Sequence, residues 1–98
     1  TVSPVAGHYV GRLEHLLGRL DDADASFARA HQIHQRLRAP QFQARTEVRW
    51  AQMLTDRNQP GDHARARDLA QTARTTAQGR PGWEWIARDA DAVLRQVT

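Results

Sequence analysis

The chain has 98 residues, 14 basic residues that are all Arg, 11 acids, 40% hydrophobic residues and no cysteine. That length allows one small domain burying at most about two-thirds of its unfolded surface, so a multidomain enzyme is excluded. The missing cysteines exclude a disulfide framework, a CxxC metal site and a thiol nucleophile. No apolar run approaches the roughly 18 residues of a membrane span, and the N-terminus lacks the charged-then-apolar pattern of a secretion signal. A cytoplasmic setting with no membrane partner is therefore expected. The start at Thr1 rather than Met leads to the expectation of a piece of a longer chain.

A formal net charge of only +3 stands beside a sequence pI near 10.9. The pI is high because every base is Arg, which keeps its proton above about pH 12. The Arg residues are interspersed with Asp, Glu and Gln, the pattern of solvated helix faces rather than of a phosphate-binding run.

Prolines at Pro4, Pro40, Pro60 and Pro81 separate stretches rich in Ala, Leu, Arg and Gln, which predicts five helices. On the first, about residues 5–19, Val5, Ala6, Tyr9, Val10, Leu13, Leu16, Leu17 and Leu20 fall in one arc of about 140° and are expected to face the core. Gly7, Gly11 and Gly18 gather on a second face, where a neighbouring helix can approach closely. His8, Arg12, His15 and Arg19 form the remaining polar row. The second helix follows Asp21 or Asp22 as N-cap, with Asp24 in its first turn. It runs to about Arg38, before Pro40, on a stripe of Ala23, Phe27, Ala30, Ile33 and Leu37 with His34 in its midst. The short connection makes these two helices an antiparallel hairpin.

The third helix, about residues 41–57, is apolar around most of its circumference through Ala44, Val48, Trp50, Ala51, Met53 and Leu54. Its polar row is narrow, Arg45, Arg49, Gln52 and Asp56, so it is expected to lie centrally with neighbours on several sides. The fourth, about residues 62–78, follows the turn-forming Asn58-Gln59-Pro60-Gly61, is expected to be capped by Asp62 and Gly79, and carries the mostly alanine stripe Ala66, Leu69, Ala70, Ala73 and Ala77. The fifth, about residues 82–97, turns Trp83, Ile86, Ala87, Ala90, Val93, Leu94 and Val97 to one side, and Trp85 and Ala92 to the other.

Self-similarity organises these elements. Ala23-x3-Phe27-x2-Ala30 matches Ala66-x3-Ala70-x2-Ala73 at a shift of 43 residues. A shift of 37 superposes His8 on Arg45, Arg12 on Arg49, His15 on Gln52 and Arg19 on Asp56, and also Leu13 on Trp50, Leu16 on Met53 and Leu17 on Leu54. The difference of six is the longer loop around residues 57–62. The chain is thus read as one domain of repeat one (5–38), repeat two (41–79) and a capping helix (82–97).

Small residues at Gly11 and Gly18, then Ala23-x3-Phe27-x2-Ala30 and a hairpin-ending Pro40, resemble the tetratricopeptide (TPR) repeat. The phrases Gly18-Arg19-Leu20-Asp21-Asp22-Ala23, His34-Gln35-Arg36-Leu37-Arg38-Ala39-Pro40, Ala44-Arg45-Thr46 and Ala66-Arg67-Asp68-Leu69 are similar to the TPR-like C-terminal region of large bacterial ATP-binding LuxR-family or MalT-like regulators, some with a cyclase domain. The chain departs from the pattern at Arg38, where Gly is usual, and at Ala70, where a larger apolar residue is commoner. The resemblance implies an all-α, TPR-like α-α superhelix of two antiparallel hairpins plus a C-terminal capping helix. It also implies a non-catalytic scaffold for protein interaction or effector sensing, with ATP hydrolysis and DNA binding in other domains of the parent chain.

Catalytic motifs are missing: there is no HExxH, no phosphate-cradling glycine loop and no GxSxG. Glu14 and Glu47 can be imagined as a carboxylate pair, with an Arg-paired or solvated edge as the plainer expectation. His8 could approach His34 across the hairpin, but no carboxylate or thiol is placed to complete a four-ligand sphere. The expectation is four solvated histidines (His8, His15, His31, His63), a core-facing His34, and no metal or cofactor. In a helical repeat the first helix of each hairpin lines the concave face, so His8, Arg12, His15, Arg45, Arg49 and Gln52 predict an electropositive groove for an acidic peptide or a protein carboxylate, which Arg binds bidentately. The alternative is a stand-alone basic helical module that binds nucleic acid or an acidic peptide. The Arg residues are spread over all five helices, and Trp50 and Trp83 lie on apolar stripes, so direct nucleic-acid binding is not expected. Trp85 with Ala92 predicts a contact with a following repeat or a second copy, and a two-and-a-half-repeat piece is expected to expose apolar ends through which it can dimerise.

Overall fold

The computed structural model describes the backbone of residues 4–98 and the side chains of residues 6–98. Among these residues the chain forms α1 (Pro4–Leu16), α2 (Leu20–Arg36), α3 (Pro40–Arg57), α4 (Asp62–Ala77) and α5 (Glu84–Val97), with no strand. Pro40 sits at the start of α3, where its missing N–H costs nothing. The turns depend on left-handed backbone at Gly18 (φ 77), Arg38 (φ 51) and Asn58 (φ 54). Arg38 thus occupies the conformation for which glycine is the ordinary choice at the end of a helix.

Paired residues fix the helix directions. Across α1 and α2, Gly7 lies against Ala30 and Gly11 against Phe27, so rising numbers meet falling ones and the hairpin is antiparallel. His8 with Thr46 and His15 with Asp56 set α1 parallel to α3, and Arg49 with Asp89 sets α3 beside α5. Arg74 with Asp91 and Arg67 with the Val97 carbonyl make α4 antiparallel to α5. Helices α1, α3 and α5 therefore form one layer and α2 and α4 a second. The 19 Å shortest dimension is the depth of two helices, each about 10 Å across.

The core lies around α3. Ala44, Val48, Ala51, Met53 and Leu54 are fully buried against Phe27, Ala66, Ala70, Ala73, Ile86, Ala90 and Val93. The alanine row of α4 brings that helix close, and its small side chains leave most of the buried volume to Phe27, Met53, Leu54 and Ile86. The expected central position of the third helix is what the structure shows, since α3 is packed against each of the other four helices.

Helix α1 corrects the reading of the amphipathic pattern. Tyr9, Val10, Leu13, Leu16 and Leu17, expected in the core, are exposed, whereas His8 and Gly11 are buried; the Val5 side chain lies outside the described residues. The glycine face is the one α2 covers: a Cβ at Gly11 would stand 2.7 Å from the Phe27 ring, and one at Gly7 would stand 3.1 Å from the Ala30 Cβ. The physical reason is visible in the repeat. Thr46, Glu47 and Trp50, the residues of α3 equivalent to Tyr9, Val10 and Leu13, pack on the preceding helix α2 through His34, His31 and Asp24. Among the described residues no helix lies on that side of α1.

Smaller departures have local causes. Gly18 is not on the packing face of α1 but in the turn beyond it. Asp21 and Asp22 sit within the first turn of α2 rather than capping it, because the helix starts at Leu20 with Arg19 at the N-cap. Leu37 follows the end of α2 and is exposed. Asp62 likewise is the first residue of α4, with Gly61 at the N-cap in left-handed backbone; its carboxylate accepts the Gln59 N–H and two bonds from Arg57.

Candidate functional site

The layer of first helices brings the predicted basic row together. Arg12 on α1 and Arg45 and Arg49 on α3 surround His8 closely enough to act on its charge, and Gln52 accepts a bond from Arg49 Nη1 at 3.1 Å. The His15 Nε2 meets Asp56 at 2.6 Å at the far end of the row. Among the described residues the acid paired with these three guanidinium groups is Asp89, 3.5 Å from Arg49 Nη1 and also 3.6 Å from Arg88 Nε.

The floor of the site is aromatic. The guanidinium of Arg49 lies 5.3 Å from the centre of the Trp85 ring, and that of Arg45 lies 5.9 Å from it and 5.6 Å from the Phe42 ring. Arg45 Nη2 donates to the Tyr9 hydroxyl at 3.5 Å, while its Nε is buried with no hydrogen-bond partner. Stacking on aromatic faces holds planar guanidinium groups in place with their donor edges free to meet an anion. Burial and the neighbouring Arg12 and Arg45 lower the pKa of Arg49, against the opposing pull of Asp89.

Behind the cations lies a buried polar layer. His8 Nδ1 is 2.9 Å and His34 Nδ1 3.4 Å from the Thr46 hydroxyl oxygen. A hydroxyl has one proton to donate and lone pairs to accept, so it can serve both rings when they hold complementary tautomers. Burial, then Arg45, Arg12 and Arg49, lowers the His8 pKa from 6.5 to about 4, leaving the ring neutral near pH 7. His31 Nε2 meets the buried Glu47 at 2.8 Å, and Ser26 donates to Glu14 at 2.6 Å.

These placements revise the sequence expectations. His8 is buried, and His15 and His31 are half-buried with carboxylate partners, rather than solvated. Glu14 and Glu47 have separate partners, Ser26 and His31. Among the described residues no three His, Asp or Glu side chains converge as a metal-ligand set. Trp85, which the helical wheel leaves without a partner, packs against the core and under Arg45 and Arg49, and Ala92 is half-buried. Tyr9, Phe42 and Asp89 were missed as site residues. The available signal was the position of Trp85 about 160° from the α5 stripe, which aims it at the polar row of α3.

No family model matches the chain, and no curated protein or solved structure matches it.

Proposed function

We propose that this chain is a non-catalytic, TPR-like helical-repeat module whose concave face, formed by α1, α3 and α5, binds a carboxylate-bearing partner, an acidic peptide segment above all. The observation that carries this reading is the cluster of Arg12, Arg45 and Arg49 around His8, in which, among the described residues, Asp89 is the acid paired with one of the three. A carboxylate accepting from two guanidinium groups would offset their mutual repulsion. The other clustered bases are already engaged: Arg57 and Arg65 bond to Asp21, Asp24 and Asp62, and Arg74 bonds to Asp91. The basic focus on this face, Arg12, Arg45 and Arg49, is compact rather than the extended cationic track that nucleic-acid phosphates require, and it favours the peptide reading.

Within a bacterial regulator of the kind its motifs resemble, the module would sense or dock a partner for ATPase and DNA-binding domains elsewhere in the parent chain. The test is calorimetric titration with an Asp/Glu-rich peptide at low and high salt. The wild-type chain should bind, more weakly as salt screens the face, and Arg45→Glu with Arg49→Glu should abolish binding while helicity by circular dichroism is unchanged. Equal binding by the double variant rejects the reading.

A further inference from the structure

The outer face of α1 presents Tyr9, Val10, Leu13, Leu16 and Leu17 to solvent, with exposures from 49% at Val10 to 81% at Leu16. No charged side chain interrupts this arc; Arg12 and Glu14 lie outside it, on the concave side and toward α2. Beside it a cavity of about 260 Å³ opens between α1 and α2, lined by Ala6, Gly7, Val10, Ala30 and Ile33 and also by Ser26 and Arg29. Five such side chains amount to on the order of 600 Å² of apolar surface, the upper end of the largest patch on an ordinary monomer.

We propose that a second copy of this chain covers this face, forming a two-fold dimer in which the α1 stripes of the two copies pack on each other. Three observations select that occupant. The first is chemical. Helix α2 meets the equivalent face of α3 with Asp24, His31 and His34, which bond to Trp50, Glu47 and Thr46. On α1 those places hold Leu13, Val10 and Tyr9, so a helix of α2's kind would lay its polar groups on hydrocarbon and leave them unpaired. The α1 stripe of another copy brings one such group, the Tyr9 hydroxyl, which already accepts from Arg45 Nη2.

The second is asymmetry between the ends. Among the described residues, α3, α4 and α5 expose no large hydrophobic side chain. Head-to-tail addition of copies would therefore set the apolar α1 against a polar surface, whereas an isologous two-fold contact buries apolar surface on both sides and closes the assembly. The third is area. Complete coverage of both stripes would bury roughly 1,200 Å², the lower bound of specific interfaces, and the cavity beside Val10 offers a hole for a side chain of the opposing helix.

Sedimentation of the 98-residue chain over a wide concentration range should show a reversible dimer. Leu13→Glu with Leu17→Glu should weaken it at least about a hundredfold, since each charge would be buried against apolar groups. Helicity should be unchanged, because both side chains are exposed in the single copy. The chain has no cysteine, so Leu13→Cys, at the middle of the stripe, should cross-link to itself on mild oxidation, and Arg88→Cys on the exposed side of α5 should not. A strict monomer at all concentrations, a dimer indifferent to the two glutamates, or cross-linking only in mixtures of the two cysteine variants would each overturn the proposal. The concave-face reading is tested separately, by its own titration through Arg45 and Arg49, although Tyr9 borders both surfaces.

Discussion

Gly11 on α1 and Phe27 on α2 are packed so closely that no side chain fits between them: an added Cβ would stand 2.7 Å from Cε1 of the fully buried ring. The α1–α2 hairpin is therefore closed by backbone on aromatic rather than by the leucines of α1. Gly11→Ala should lower stability by about 1–2 kcal/mol, because overpacking outweighs the roughly 1 kcal/mol that alanine gains over glycine in a helix. Gly7→Ala, whose Cβ would stand 3.1 Å from that of Ala30, should change stability by less than about 1 kcal/mol by the same balance. Urea unfolding of the two variants side by side checks the contrast.

The neutral, buried His8 makes stability depend on pH in a definite direction. Above pH 6.5 the ring is uncharged in both folded and unfolded chains; as pH falls toward about 4 the unfolded chain takes up the proton first. Stability should therefore decline across that window, by on the order of 1–2 kcal/mol from this ring once solvent screening is allowed for. His8→Gln keeps a hydrogen-bonding group beside Thr46 and should flatten this part of the profile. A carboxylate bound at Arg45 and Arg12 would weaken the repulsion felt by the imidazolium, so acidic peptide should raise the His8 titration midpoint, which proton NMR reads directly.

Arg57 and Asp62 tie the α3–α4 turn together. Arg57 Nε and Nη2 donate to the two Asp62 oxygens at 2.9 and 3.0 Å, and Arg57 Nη1 reaches Asp21 on α2 at 2.9 Å. The Arg57 bonds hold the Asp62 carboxyl below its ordinary pKa despite burial. Burial also opposes ionisation of Asp24, but the bonds from the Trp50 indole and Arg65 prevail and its pKa is lowered too. Both contributions are present above the unfolded carboxylate range near pH 4 and are lost as pH falls through the lowered folded values. Asp62→Asn should cost about 2–4 kcal/mol at neutral pH, because it removes the buried carboxylate that takes two hydrogen bonds from a mostly buried guanidinium. Thermal melts at pH 7 and pH 3 should show the gap to wild type narrowing in acid.

Arg38 holds left-handed backbone at φ 51 with an exposed side chain. Since only glycine adopts that region without strain, Arg38→Gly should raise stability by about 0.5–1 kcal/mol, after the added chain entropy of the unfolded state is subtracted. A denaturant midpoint shifted upward with an unchanged slope is the expected result.

The five helices, the central place of α3, the alanine stripe of α4 and the basic row were legible in the sequence, because each depends on local periodicity, proline placement and a repeat seen twice. The row of Arg12, Arg45, Arg49 and Gln52 could be found because a shift of 37 residues carries one helix onto the other, and equivalent positions in a repeat share a face. His8 was misread as solvated, and the partners of Trp85 within the chain were not foreseen, for one reason. A helical wheel says which residues share a side of a helix, but not which other helix stands there.

That is also the division at α1. Its sequence determined that it is a helix with an apolar arc and a glycine arc, since both follow from 3.6-residue spacing. Only the tertiary structure decided which arc meets the protein. Phe27 needs a backbone surface without Cβ atoms, so the glycines turn inward, His8 is buried with them, and the leucines are left facing out.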